Sequence, residues 1–389
     1  MEEKRPKSKT TKPKGKVYVW GWNQYSQLGL AEEGDNVAKP RSIPELEGES
    51  CVAVSCGDNF VAITTEDRGR VFTWGLGSSG QLGHGDTDTG TFPRELPLSR
   101  KRPMLMAAAG DNHTLFLRKT GSVYCTGDGH AGKLGLSSSR STTVPRRLPL
   151  KKKITAIACG SEHSVALTEQ QSVLVWGSAE GGRLGNGKTE GRLLKPTPLS
   201  LKVSIKQVAC GTDWTAFIST EGKLYTCGIG AYGRLGHGND RNVLVPTEVS
   251  ALSNVNVEAV ACGTDHMACI ADGQVFTWGC GGNGRLGHGN EHDVKKPRRV
   301  KALRKKKTVL VACGGYHMGA VTNEGKLYTW GWNCYGQCGL GAAAESEAEE
   351  DEAAKENQLI PALVTKLQHK RVLQVSFGEG HSVALVASE

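Results

Sequence analysis

Cysteine, histidine and carboxylate residues recur in this chain at fixed spacings, and each pattern invites a chemistry. Five of the 12 cysteines (Cys56, Cys159, Cys210, Cys262, Cys313) precede a glycine, with His, Phe or Trp three residues after that glycine. Structural zinc needs two ligand pairs at finger-like spacing, and the pair Cys334 and Cys338 has no matching Cys/His pair. Disulfides are not expected either: MEEKRPKSKT lacks the apolar stretch of a secretory signal, and thiols stay reduced inside the cell. A cysteine recurring at one slot of a pattern reads as a small buried apolar group. Four loops, starting at Gly75, Gly127, Gly228 and Gly279, match G-x-G-x-x-G. A dinucleotide site needs a helix after that motif, whereas further turn residues follow here. No HExxH, GxSxG or Walker sequence occurs. No covalent catalytic site, metal or cofactor is therefore expected.

What positions these residues is a repeat. A strand-like segment ends in glycine at positions 21, 75, 127, 177, 228, 279 and 331, and five copies carry Trp in one slot (Trp20, Trp74, Trp176, Trp278, Trp330). The C-G segment alternates with it, its glycines at 57, 110, 160, 211, 263, 314 and 378. The period is about 51 residues, except for one step longer by about 13, the size of the acidic stretch GAAAESEAEEDEAAKE. Short β-branched and aromatic runs between glycine turns predict antiparallel strands. Seven such units predict an all-β, seven-bladed β-propeller over 17–389, with 342–356 as an acidic loop insertion and 1–16 as a basic disordered tail. The chain begins and ends with half a unit, so the two halves should complete one blade. The loops GWNQYSQLGL and GWNCYGQCGLG should then be ring neighbours. Glycine makes up 51 of 389 residues, too many for a helical bundle, and no apolar run is long enough to span a bilayer. His84, His237 and His288 share a turn slot. A monomer is expected.

The charge of +9 is unevenly spread: +5 over 1–16, −6 over 345–356 and +10 over the remainder. Strand alternation places the C-G-x-x loops on one face, called the top. There stand Asp58, Asp111, Glu162, Asp213, Asp265 and Glu379, followed in four of these loops or their siblings by His113, His266, His317 and His381. The bottom should hold the segments preceding each first strand: Arg100, Lys101 and Arg102; Lys151, Lys152 and Lys153; Arg304, Lys305, Lys306 and Lys307; Lys370 and Arg371. An acidic top suits a cationic protein surface, and a basic bottom suits a polyanion.

The repeated pattern ACGxxHxxAL…VYxWG…GQLGxG resembles the regulator of chromosome condensation family over nearly the whole chain. The resemblance implies a seven-bladed propeller and, by analogy with the founding member, guanine-nucleotide exchange on a Ran-type small GTPase together with chromatin binding. The loop AGDNHT, with Asp111 and His113, is similar to the family's GTPase-contacting loop, and TDH at Asp265 and His266 is similar to another. Catalysis would then be differential binding without covalent chemistry. The expected partners are a small GTPase or another protein on the top, and DNA or a nucleosome on the bottom and tail, in the nucleus or in cytoplasm and nucleus. The exchange factor carries a projecting β-wedge, whereas the corresponding segment here, WGSAEGGRLGNG, matches its siblings in length. A non-catalytic scaffold or substrate-recognition module, as in ubiquitination or ciliary complexes, stays open as the alternative.

Overall fold

A computed structural model describes residues 15–31, 34–66, 68–341 and 357–388. Its 28 strands form five separate four-stranded antiparallel sheets and one eight-stranded sheet. The eight-stranded sheet is two blades touching at a single pairing, Gly15 opposite Cys51. The architecture is thus a seven-bladed propeller. Blade 1 combines the last two strands, Val372–Phe377 and His381–Ala387, with the first two, Gly15–Gly21 and Val37–Ser42. Blades 2 to 7 follow in chain order over 51–95, 104–147, 154–198, 205–248, 257–299 and 308–363. The strand Gly15–Gly21 pairs along its whole length with His381–Ala387, so the expected completion of one blade by both termini holds. That strand begins at Gly15, two residues before the expected boundary. The rest of the expected tail, 1–14, and the acidic insertion, 342–356, lie outside the described residues.

Each first strand is innermost and neighbours the first strand of the next blade, around to blade 1 again. Alternating side chains of facing sheets interdigitate, and the apolar core accordingly falls into clusters between blades, each shared by two neighbours. The outermost strands carry prolines (Pro40, Pro93, Pro145, Pro196 with Pro198, Pro246, Pro297, Pro361). Proline cannot donate to a further strand, so it blunts an edge that would otherwise template aggregation.

The tryptophan slot ties one blade to the next. Trp20, Trp74, Trp176, Trp278 and Trp330 are fully buried. Their indole N–H groups donate across the boundary to the carbonyls of Gln337, Gln27, Lys133, Arg234 and Arg285, at 2.8, 3.0, 2.7, 3.0 and 2.9 Å. Where Thr126 replaces Trp, its hydroxyl lies within reach of two carbonyls, Gly80 of the preceding blade at 2.9 Å and Thr142 of its own blade at 2.8 Å. The glycine of each L-G turn lets the indole approach: a Cβ at Gly29 would lie 2.7 Å from the Trp74 ring nitrogen. His84, His237 and His288 each hydrogen-bond through Nε2 a threonine (Thr73, Thr226, Thr277) whose hydroxyl donates to the turn's leucine carbonyl. They are turn residues, as expected.

Candidate functional site: the loop face around the propeller axis

The seven first strands end at a ring of glycines around the axis. A Cβ on any of them would lie 2.5 to 2.8 Å from the next glycine's carbonyl, in unbroken succession from Gly57 through Gly378 and back to Gly57. The backbones touch there, so only glycine fits. The ring floors a small axial depression of about 130 Å³ whose rim includes Asp58, Asp111, Thr212 and Thr264. The cysteines before the glycines line its wall, and burial pushes Cys56 and Cys159 up to about 12. They are protonated and inert at neutral pH.

The histidines three residues on do not reach the surface. His113, His266, His317 and His381 are all fully buried. Burial drives His113, His317 and His381 down to about 3 and His266 well below its ordinary range, so all stay neutral. The expectation that they meet a partner directly is thus corrected: they are joints between blades. His113 Nε2 bonds Ser164 Oγ of the next blade at 2.8 Å, and His317 Nε2 bonds Ser382 Oγ at 2.8 Å. Those hydroxyls in turn donate to the Lys133 and Gln337 carbonyls, so each imidazole is the donor. Among the described residues the His266 and His381 side chains find no hydrogen-bond partner. The hydroxyl slot of the following blade holds Met318 and Val61 in those two cases.

The six carboxylates do stand on this face, all partly exposed, but they divide into two sectors. In blades 4 to 6 each meets a buried cation from the preceding blade. Lys133 Nζ lies 2.7 Å from Glu162 Oε1 and 2.7 Å from Asp128 Oδ2. Arg183 Nη1 lies 2.8 Å from Asp213 Oδ1, and Arg234 Nη1 lies 3.1 Å from Asp265 Oδ1. Lys133 is fully enclosed, and both arginines nearly so. In blade 7, where Gly315 and Tyr316 replace the acid, Arg285 lies over the Tyr316 ring at 4.7 Å. These cations occupy the position before the L-G turn, a slot outside the candidate site residues named from the sequence. The signal was present in the change from QLG to KLG and RLG.

In blades 1 to 3 the same position holds Gln337, Gln27 and Gln81. The corresponding acids, Glu379, Asp58 and Asp111, are consecutive around the ring, and among the described residues no ion pair neutralises them. They touch one another's surroundings: the Glu379 N–H donates to the Asp58 carbonyl, and Asn59 Nδ2 reaches Glu379 Oε2 at 3.4 Å. Burial and then the Glu379 charge push Asp58 up to about 6. Burial, followed by the charge of Asp58, pushes Asp111 up to about 8 against the opposing pull of Lys133. The top is therefore not uniformly acidic. It is a self-compensated half beside a half with crowded, unmatched carboxyls.

At the opposite end of the blades stand the basic segments. Of the twelve expected residues, all but Lys306 and Lys370 are exposed, and those two are partly so. Arg100 pairs with Glu95 at 3.4 Å and Lys153 with Glu169 at 2.5 Å. Arg102 lies over Tyr124 and Lys306 over Tyr328, at 5.5 and 4.9 Å. In blade 6, Arg304 to Lys307 line a groove of about 440 Å³ with Glu258 and Asp272. At the same end of the outer strand Val294–Arg299, exposed Arg298 and Arg299 stand beside it, Arg299 Nη2 reaching the Arg304 carbonyl at 3.4 Å, basic residues outside the twelve expected. No helix among the described residues is long and apolar enough to cross a membrane.

Comparison with known proteins gives this architecture a family. The RCC1-like domain model matches residues 91–384, and regulator of chromosome condensation (RCC1) repeat models match 14–64 and 51–81. The chain belongs to the RCC1-like family. It is 32% identical over 380 residues to the mitochondrial RCC1 domain-containing protein RUG3 of Arabidopsis thaliana, covering 96% of this chain and 73% of that one. The E3 ubiquitin-protein ligase HERC2 of Mus musculus is 35% identical over 95% of this chain, which spans only 8% of that protein's length. The ultraviolet-B receptor UVR8 of Arabidopsis thaliana is 32% identical over 85% of this chain and 63% of its own length. Among solved structures, human WBSCR16 superposes with a TM-score of 0.83 at 25% identity, covering 96% of this chain and 99% of that one. Prp20p of Saccharomyces cerevisiae superposes at 0.84 and 22% identity, covering 97% and 93%. RCC1-like relatives thus include a ubiquitin ligase and a light receptor, and the shared propeller does not select among such roles.

Proposed function

We propose that this propeller is an interaction module that docks a basic patch of a Ran-like small GTPase on the sector formed by Glu379, Asp58 and Asp111. The observation that carries the reading is the unmatched state of those three consecutive carboxyls, beside three siblings that already hold buried cations. Burial and mutual repulsion disfavour the ionised forms of Asp58 and Asp111, and an incoming cation supplies the compensation they lack internally. Prp20p, which shares the fold, is a protein studied for its binding to Gsp1p and histones. The opposite face, with the cluster Arg304 to Lys307, is proposed to bind a polyanion such as DNA or a nucleosome, and nuclear residence is part of the same reading.

A second reading, docking without nucleotide exchange, is favoured by one observation. The segment between Val173–Ser178 and Arg192–Pro198 folds into a compact turn, closed by bonds from the Ala179 N–H to the Gly191 carbonyl (2.8 Å) and from the Gly181 N–H to the Thr189 carbonyl (3.1 Å). Nothing projects from it to lever a nucleotide out. The test is a nucleotide-release and direct-binding assay with Ran- and Rab-type GTPases. Binding lost in Asp111→Ala, with release unaccelerated, supports docking alone. Acceleration that Asp111→Ala abolishes supports exchange, and no binding by any GTPase overturns both. For the basic face, affinity for duplex DNA should fall steeply with salt, and a flat response would refute it.

A further inference from the structure

The two loops that carry a second tryptophan meet where the ring closes. Trp22 of blade 1 stacks on Tyr335 of blade 7, with ring centres 5.4 Å apart and planes 12° from parallel. Tyr25 packs edge-on against Trp22 at 5.5 Å, Trp332 edge-on against Tyr335 at 5.2 Å, and Tyr316 edge-on against Trp332 at 5.3 Å. Five aromatic rings from three chain segments thus form one continuous, partly exposed shelf on the top face. Among the described residues no other blade boundary has it: the positions equivalent to Trp22 and Trp332 hold Leu76, Asp128, Ser178, Ile229 and Cys280. The loops are held rigidly from below, since Asn23 Oδ1 accepts from the Leu28 N–H and Asn333 Oδ1 from the Cys338 N–H, each at 3.0 Å. Rigid Trp and Tyr at a surface are the side chains that most often dominate binding energy.

The shelf adjoins the unmatched carboxyls. The Trp22 N–H donates to the Gly380 carbonyl at 2.8 Å, directly after Glu379, and Asp58 follows in the next blade. We infer that the shelf and these carboxyls form one subsite for an arginine-bearing polypeptide segment of a partner. A guanidinium stacks on aromatic faces and forks onto carboxylates, whereas an ammonium does only the second well. The molecule already shows the pairing internally, in Arg285 over Tyr316. Single-stranded nucleic acid would also stack on such rings, but its phosphates would face the carboxyls. A second copy docking face to face would set carboxyl against carboxyl. An uncharged peptide would leave the carboxyls without a partner. This inference rests on the reading of the top as the docking face, but not on the partner being a GTPase.

The probes are a short arginine–glycine peptide, its lysine–glycine counterpart and oligo-dT. Six of the eight tryptophans are fully buried, so acrylamide quenching reports on Trp22 and Trp332. The arginine peptide should shield them and bind about tenfold more tightly than the lysine peptide. Trp332→Ala should weaken it about tenfold and Trp332→Phe should restore it, which separates a lost contact from a lost fold. Asp58→Asn should weaken both peptides several-fold. Equal affinity for the two peptides, binding indifferent to Trp332→Ala, or preference for oligo-dT each overturns the inference. If the peptide binds as described and no GTPase does, only the partner's identity in the preceding section fails. If a GTPase binds and Trp332→Ala leaves both ligands unaffected, only the shelf fails.

Discussion

Replacing Lys133 by glutamine tests the division of the top face into two sectors. Gln is the residue that this slot holds in three blades, where it is also fully buried and its Oε1 accepts the N–H of Tyr25, Ser79 or Tyr335 at 2.8 to 2.9 Å. Lys133→Gln therefore keeps a side chain that the local turn accommodates and deletes only the charge. Two contacts of 2.7 Å, to Asp128 and Glu162, disappear. Removing one partner of a buried ion pair costs about 3–5 kcal/mol. The two carboxylates retain 29% and 30% exposure, so water recovers part of this and the expected loss is about 2–3 kcal/mol. For a chain of this length that corresponds to a melting shift of only about 3 °C, so urea titration is the better assay. The pH dependence supplies the signature. Burial pushes Asp128 up, but hydrogen bonds from Lys133, the His130 N–H and Ser141 outweigh it and hold its carboxyl below the ordinary range. A carboxyl depressed in the folded state contributes stability above its unfolded pKa of ~4 and loses it as pH falls further. The gap between wild type and Lys133→Gln should accordingly close towards pH 3. The companion Arg285→Gln, whose guanidinium forms no ion pair among the described residues and rests on Tyr316, should cost only about 1 kcal/mol. A Lys133→Gln loss under ~0.5 kcal/mol at pH 7, or one unchanged down to pH 3, would refute the reasoning. If it holds, Glu162 keeps only the exposed His130 imidazole at 2.9 Å, and affinity for a cationic partner rises.

Three further outcomes follow from the same geometry. Gly160→Ala should destabilise by about 3 kcal/mol or more in denaturant titration, because the new Cβ would lie 2.3 Å from His163 Cε1 and 2.6 Å from the Gly211 carbonyl. His266→Phe should stabilise by about 1 kcal/mol, since both its ring nitrogens are buried without partners and Phe60 already fills the same slot. His163→Phe should lose about as much by abandoning Thr215 at 2.9 Å, so equal signs for the two would contradict the assignment. Asp111 sits near 8, so binding of a cationic partner should take up the ionised form, strengthen as pH rises from 6 to 8, and level off above; Asp111→Asn should flatten that profile in calorimetry.

The repeat alone settles the ring. A period of about 51 residues, the half-units at either end and the glycine turns are local or periodic properties, and a propeller blade is built almost wholly from consecutive strands. It also determined which end of each blade a charge occupies, because strand direction alternates. What it could not show is which neighbour a side chain meets. The residue before each L-G turn belongs to one repeat and its carboxylate to the next, so the neutralisation of Glu162, Asp213 and Asp265 and the lack of it at Glu379, Asp58 and Asp111 exist only across blade boundaries. The histidines misled for the same reason: C-G-x-x-H reads as a loop tip, but its imidazole turns inward to a hydroxyl about 50 residues away. Trp22 and Tyr335 lie more than 300 residues apart in the chain and stack because the ring closes between them. Repetition sets where each slot lies, and closure of the ring decides what faces it.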